Sequence, residues 1–165
     1  MIVCKQKLFG SKIFKQTVYQ DNRGFLVNIN NNKLPKIKYN RQVISCSKKF
    51  TLRGMHYKIK NKEAKLMTVV KGKVFEVVID LNKKSQTFKK YFSCLLEHGK
   101  FNQIYLPTNV AHGYYVMSKE AIIHYSIRGN YEPQYESGLK WNDDSLNIKW
   151  PNGKKILSRK DKNFP

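Results

Sequence analysis

The sequence predicts an all-β chain, a sandwich or barrel of short strands. Three observations carry this. Runs rich in Val, Ile, Phe and Tyr recur at close intervals, turn formers separate them, and no long 3.6-residue periodicity appears. A chain of 165 residues holds one domain, taken here as 1–165, and can bury a real core. With 41% apolar and 26% charged residues it reads as globular rather than disordered.

The elements follow in order. Residues 25–29 and 42–45 read as strands in a weakly patterned first third, and Asn30, Asn31 and Asn32 as a loop. The strongest pattern is 65–70 and 74–81, joined through Lys71, Gly72 and Lys73, which reads as a hairpin. In the second run Phe75, Val77, Ile79 and Leu81 form an apolar face, while Val74, Glu76, Val78 and Asp80 form a mixed one. A few polar groups among apolar ones suit a barrel wall that holds a polar ligand. Strands follow at 90–96, 102–106, 113–117 and 121–127. Turns at 97–100 and 118–120 punctuate them, and Pro107 ends the second of these runs. The last 30 residues, with Trp141 and Trp150, read as irregular structure or short helices.

Lys and Arg total 32 against 11 Asp and Glu, a formal charge of +21, which calls for an anionic partner. The lysines spread along the whole chain, and no RNP1-like string, zinc-finger spacing or helix-turn-helix pattern occurs. Such positive charge would serve a nucleotide-linked substrate as well as nucleic acid. No apolar stretch serves as a signal peptide or a transmembrane helix, so no membrane partner is expected. Cys4, Cys46 and Cys94 are odd in number and lack CxxC spacing, which fits a reduced cytoplasm, each as a small buried or half-buried residue. No Gly-x-Ser-x-Gly, GxGxxG or Walker loop is present. Of the four histidines, His98 falls in a turn, exposed and without a role. His124 lies on the strand face opposite Tyr125, in a structural or interface position. His56 and His112 remain as candidates for chemistry.

An ordered set of motifs makes the sequence specific. It runs Asp-Asn-Arg-Gly-Phe at 21–25, Leu-Arg-Gly-Met-His-Tyr at 52–57, Lys65-Leu66, and Gly-Lys-Val-Phe-Glu-Val-Val-Ile-Asp-Leu at 72–81. It continues with Ser-Gln-Thr-Phe at 85–88, Leu106-Pro107, Ala-His-Gly at 111–113, Tyr131-x-Pro133, Trp-Asn-Asp at 141–143, Ile-x-Trp-Pro at 148–151 and Leu-Ser-x-Lys-Asp at 157–161. Together these resemble the dTDP-4-dehydrorhamnose 3,5-epimerase family over nearly the whole chain. The resemblance implies a cupin jelly-roll β-barrel that needs neither metal nor cofactor. It also implies a homodimer with N-terminal strands packed across the interface, and a nucleotide-diphosphate sugar as substrate in bacterial surface-polysaccharide synthesis. A metal-binding cupin would want His-x-His from residue 56, but position 58 is Lys; His56, Glu63 and His112 make an incomplete set.

By the resemblance His56 is the base, Asp161 its carboxylate partner, Tyr125 the acid and Lys65 the enolate stabiliser. His112 lines the pocket, and Glu76 stands where the family usually has Asp. Arg23 and Arg53 meet the diphosphate, Arg23 by reaching into the partner's site, and Tyr131 closes the pocket or packs on the base. The chemistry is coherent, because a 4-keto group acidifies the C–H bonds at C3 and C5 and inversion needs a base and an acid on opposite faces. The sequence also departs from the family. Lys58 replaces a Gln, Arg41-Gln42-Val43 replaces Gln-x-Asn, Asn28 replaces a Glu and Asn130 a Tyr. These changes leave open a GDP-linked substrate, inversion at one carbon only, or a 3,4-ketoisomerase, with the Lys58 charge meeting phosphate or a sugar substituent.

Overall fold

The computed structural model describes residues 9–29, 36–100 and 102–165. Cys4 and the loop expected at 30–32 lie outside the described residues. Twelve strands are present among those described: β1 Lys12–Lys15, β2 Val18–Asp21, β3 Gly24–Val27, β4 Arg41–Lys48, β5 Leu52–Lys58, β6 Ala64–Lys71, β7 Lys73–Asp80, β8 Tyr91–Glu97, β9 Asn102–Leu106, β10 Val110–Val116, β11 Glu120–Arg128 and β12 Glu136–Gly138. One short helix, α1 Arg159–Lys162, lies near the C-terminus. Two antiparallel five-stranded sheets face each other, in the orders β1-β9-β6-β11-β4 and β12-β5-β10-β7-β8. The β2–β3 hairpin stands apart as its own two-stranded sheet.

Between the sheets lies a core that includes Met67, Val69, Val74, Val78, Phe92, Leu96, Ile104 and Ile123. A second layer explains the two faces of β7. Its mixed face turns inward: Val74 and Val78 join the inter-sheet core and Glu76 is buried there. Its apolar face turns outward, yet Val77 and Ile79 are covered by Leu139, Leu146, Ile148 and Trp150 of the C-terminal segment. Burial on both sides accounts for a strand so rich in apolar residues.

The hairpin expected around Gly72 does not form. β6 and β7 lie in opposite sheets, so the turn carries the chain across the sandwich. Its backbone groups are bound elsewhere: Gly72 O accepts from His98 N, Lys73 N donates to Ser118 Oγ, and Lys73 O accepts from Met117 N. Gly72 has φ +85°, and a β-carbon there would collide with Glu120 O, so glycine is required by both conformation and space. The turn at 118–120 likewise links strands of different sheets. His98 sits in the expected turn but is half-buried, not exposed. Cys94 is buried, whereas Cys46 is exposed, against the expectation for that residue. Among the described residues no helix is long and apolar enough to cross a membrane.

Candidate active site

Two histidines face each other on neighbouring strands. His56 of β5 is paired in register with His112 of β10. The strands approach closely because Gly54 and Gly113 meet just beside this pair. A β-carbon on Gly113 would lie 2.7 Å from Arg53 O, and Gly54 has φ +130°. Side chains at these positions would force the backbones apart and spread the two imidazoles.

His56 Nε2 lies 2.6 Å from Asp161 Oδ1. Asp161 comes from α1, where its N–H donates to the Ser158 Oγ cap at 3.0 Å. Phe164 stands edge-on to the His56 ring at 5.7 Å. The ring is therefore held on one nitrogen and one face, leaving Nδ1 without a hydrogen-bond partner among the described residues. Burial opposes ionisation of Asp161. The hydrogen bonds from His56 and Ser158 and the charges of His56 and Arg53 outweigh it and hold the carboxyl below the usual range.

A second cluster lies beside the first. His112 Nδ1 is 2.9 Å from Glu76 Oε1, and Lys65 Nζ is 3.3 Å from His112 Nε2. Burial pushes the imidazole of His112 well down, helped by the charges of Lys65 and His56. Burial also lowers Lys65, although Glu63, Glu136 and Glu76 pull the other way. The Tyr125 ring, on β11 of the facing sheet, packs edge-on against His112 with centroids 6.3 Å apart. Burial and its neighbours Tyr114 and Glu76 push the Tyr125 phenol well up, so it carries its proton at neutral pH.

His56, Lys65, His112 and Tyr125 all line one cavity of about 610 Å³, with Arg53 and Tyr131 on its walls. That volume suits a small organic ligand with a few fixed polar groups. Arg53 Nε donates to Ser47 Oγ at 3.0 Å, which fixes the guanidinium on the wall. Tyr131 is exposed and lies over the Arg41 guanidinium at 5.3 Å.

Two expected ligand-side residues, Lys58 and Glu76, make contacts that the sequence did not show. Lys58 is buried, with Nζ donating to Asn130 O at 2.7 Å and paired with Glu63 at 3.2 Å and Glu132 at 3.6 Å. Its charge is thus shared with two carboxylates, although it also lines a pocket beside His56, Lys65 and His112. Glu76 has no exposed surface and touches His112 instead of the cavity. Arg23 lies on the β2–β3 hairpin, exposed and paired with Asp21 at 2.6 Å, outside this chain's cavity. Conversely, Arg41 and Glu136 line the cavity and had no assigned role. Arg41 is bound to Glu63 at 3.0 Å, and Glu136 to Lys160 at 2.7 Å. The available signal for Arg41 was that arginine is scarce in this lysine-rich chain. Among the described residues no group of three or more His, Cys, Asp or Glu is arranged to hold a metal ion.

Comparison with known proteins places the chain in a family. The family model described as dTDP-4-dehydrorhamnose 3,5-epimerase matches residues 5–165. A dTDP-4-dehydrorhamnose 3,5-epimerase of Shigella flexneri is 35% identical over 99% of this chain and 94% of its own length. The crystal structure of the Bacillus anthracis dTDP-4-dehydrorhamnose 3,5-epimerase, with TDP and PPi bound, superposes with a TM-score of 0.91 at 30% identity, covering 98% of this chain and 97% of that one. The Legionella pneumophila dTDP-6-deoxy-D-glucose-3,5-epimerase in complex with dTDP-4-keto-L-rhamnose gives 0.87 at 32% identity, covering 92% and 84%. The two-sheet barrel is thus the cupin-like jelly roll of these enzymes, and the chain belongs to the dTDP-4-dehydrorhamnose 3,5-epimerase family.

Proposed function

We propose that this enzyme inverts C3 and C5 of a dTDP-linked 4-keto-6-deoxy sugar. The observation that carries the reading is that His56 and Tyr125 enter one cavity from opposite sheets, with Lys65 on the same wall as Tyr125. His56 Nδ1 takes the proton from the carbon beside the ketone, and the electron pair moves to O4. Asp161, already ionised, fixes the ring and stabilises its cation. Lys65 stabilises the enolate oxygen. Tyr125 then gives its phenolic proton to the opposite face of the carbon, which sets the inverted centre. Arg53 meets the diphosphate, a task for which guanidinium suits better than ammonium.

The relatives point to dTDP rather than GDP, and to epimerisation rather than 3,4-ketoisomerisation. The ion pairs of Lys58 with Glu63 and Glu132 weaken one of the reasons to expect an altered substrate. The working unit in this reading is a homodimer in the cytoplasm, supplying sugar for a bacterial surface polysaccharide. Exposed Tyr19, Phe25 and Leu26 on the β2–β3 hairpin support the dimer, because a second copy would cover them and receive Arg23 in its cavity.

The test is incubation with dTDP- and GDP-linked 4-keto-6-deoxy sugars in D2O, read by NMR. Deuterium at both C3 and C5 of the dTDP sugar, with changed ring couplings, is expected. Label at one carbon only would reduce the activity to a mono-epimerase, and no label on either sugar would overturn it.

A further inference from the structure

The reaction as derived gives Glu76 nothing to do, yet its placement is costly. It has no exposed surface, and its Oε2 has no hydrogen-bond partner among the described residues. A buried carboxylate with one bare oxygen is strongly disfavoured, whereas a carboxylic acid there is not. Its Oε1 lies 2.9 Å from His112 Nδ1, and His112 Nε2 lies 3.3 Å from Lys65 Nζ. The three side chains form an unbroken chain from the barrel core to the edge of the cavity.

This chain has two proton arrangements. In the first, the Lys65 ammonium donates to Nε2, and Nδ1–H donates to an ionised Glu76. In the second, Glu76 is a carboxylic acid donating to Nδ1, and Nε2–H donates to a neutral Lys65 amine. The imidazole is uncharged in both. Burial pushes Glu76 well up and Lys65 down, which favours the second arrangement in the empty site.

We propose that Glu76 is the proton store for the enolate. As negative charge develops on O4, a proton passes from Glu76 Oε1 to His112 Nδ1, and another from His112 Nε2 to Lys65 Nζ. Lys65 becomes an ammonium facing the enolate, and reprotonation at carbon reverses both transfers. No proton enters or leaves the chain. The cation thus appears when the transition state needs it, an interaction stronger there than in the ground state. The proposal rests on the reading of Lys65 as the enolate stabiliser.

Other titratable groups frame the chain. Glu63, Glu136 and Arg41 act on Lys65. His56 acts on His112, and the Tyr125 ring packs against it. Cys94 of β8 and Tyr114 of β10 stand opposite Glu76 in register. Arg53 and Glu76 both act on Tyr125.

The experiment compares wild type, Glu76→Gln and Glu76→Asp for deuterium exchange on the dTDP sugar from pH 5.5 to 10. Glutamine cannot release a proton, so Lys65 must then draw its charge from solvent. Glu76→Gln should lose about 10²-fold in kcat with KM nearly unchanged, the lower end of proton-transfer catalysis. Its remaining activity should fall as pH rises through the lowered Lys65 value, a basic limb that begins at lower pH than any in wild type. Glu76→Asp keeps the carboxyl and should restore the wild-type profile with part of the rate. A Glu76→Gln variant equal to wild type, or slower by one factor at every pH, would overturn the proposal. Should that variant not fold, 15N spectra of the His112 ring in ligand-free wild type decide: the proton on Nε2 is expected, and on Nδ1 would overturn it. Absence of exchange in wild type would instead defeat the activity reading, while the 15N spectra still report on the chain.

Discussion

Asp161 Oδ1 lies 2.6 Å from His56 Nε2, although 105 positions separate the two residues in sequence. The device that spans them is small. Ser158 caps a four-residue helix, and the cap turns Asp161 inward beneath β5. Asp161→Asn keeps the shape but can present an N–H where an acceptor is needed, which favours the wrong imidazole tautomer. We expect deuterium exchange to fall about 10²- to 10⁴-fold. Exchange within tenfold of wild type would remove Asp161 from the base.

The same pair sets an acid limit on stability. The Asp161 carboxyl is held below its unfolded value, so its contribution is complete above the unfolded pKa and lost as pH falls through the folded one. Asp161→Asn should therefore be less stable than wild type at pH 7 by about 1–3 kcal/mol. The gap should narrow as pH falls through the depressed carboxyl value. Urea unfolding across an acid pH series checks this, and a gap that does not change with pH would contradict it.

Tyr125→Phe keeps the ring against His112 and removes the proton. Net inversion should fall by about 10²- to 10⁴-fold, the range for a lost acid. Proton loss to His56 should fall much less, because that step comes first. Exchange and inversion can be followed together in D2O. If both drop by one factor, Tyr125 positions the sugar and does not protonate it.

Lys58 tests whether a cation near a cavity serves the ligand or the fold. Lys58→Met leaves buried Glu63 with Arg41 alone and removes the bond to Asn130 O. Breaking a buried pair from one side costs about 3–5 kcal/mol. KM should stay within about threefold, equivalent to less than 1 kcal/mol. Thermal unfolding and initial rates separate the two. A large rise in KM with unchanged stability would return Lys58 to the substrate.

These contrasts mark what the sequence could carry. Alternation in residues 74–81 identified β7 and its two faces, because a period of two survives whatever the strand pairs with. It could not show that β6 and β7 part at Gly72, since that depends on distant partners at His98, Met117 and Ser118. His56, Lys65, Tyr125 and Asp161 were named together because their motifs stand in a fixed order, and the fold brings them close. The ion pairs of Lys58 could not be read in advance, because its acidic neighbours Glu63 and Glu132 converge only in the fold. Glu76 was placed on the ligand by its position, and only the inward turn of β7 shows that it meets His112 first.

Arg23 offers the sharpest test of the dimer. Its side chain is 86% exposed and tied only to Asp21 within its own hairpin turn, among the described residues. Nothing in the chain's own packing depends on it, so Arg23→Ala should leave thermal unfolding unchanged. In a dimer that delivers Arg23 to the neighbouring cavity, the same variant should raise KM for the dTDP sugar about tenfold, the scale of one charge-assisted hydrogen bond. Light scattering should give twice the chain mass for wild type and variant alike. Mixing Arg23→Ala with inactive His56→Ala subunits then distinguishes the arrangements. If Arg23 acts in its own subunit, one cavity of each mixed dimer lacks Arg23 and the other lacks His56, so mixing restores nothing. If Arg23 acts across the interface, both defects in a mixed dimer fall on one cavity, and the other cavity should regain wild-type KM.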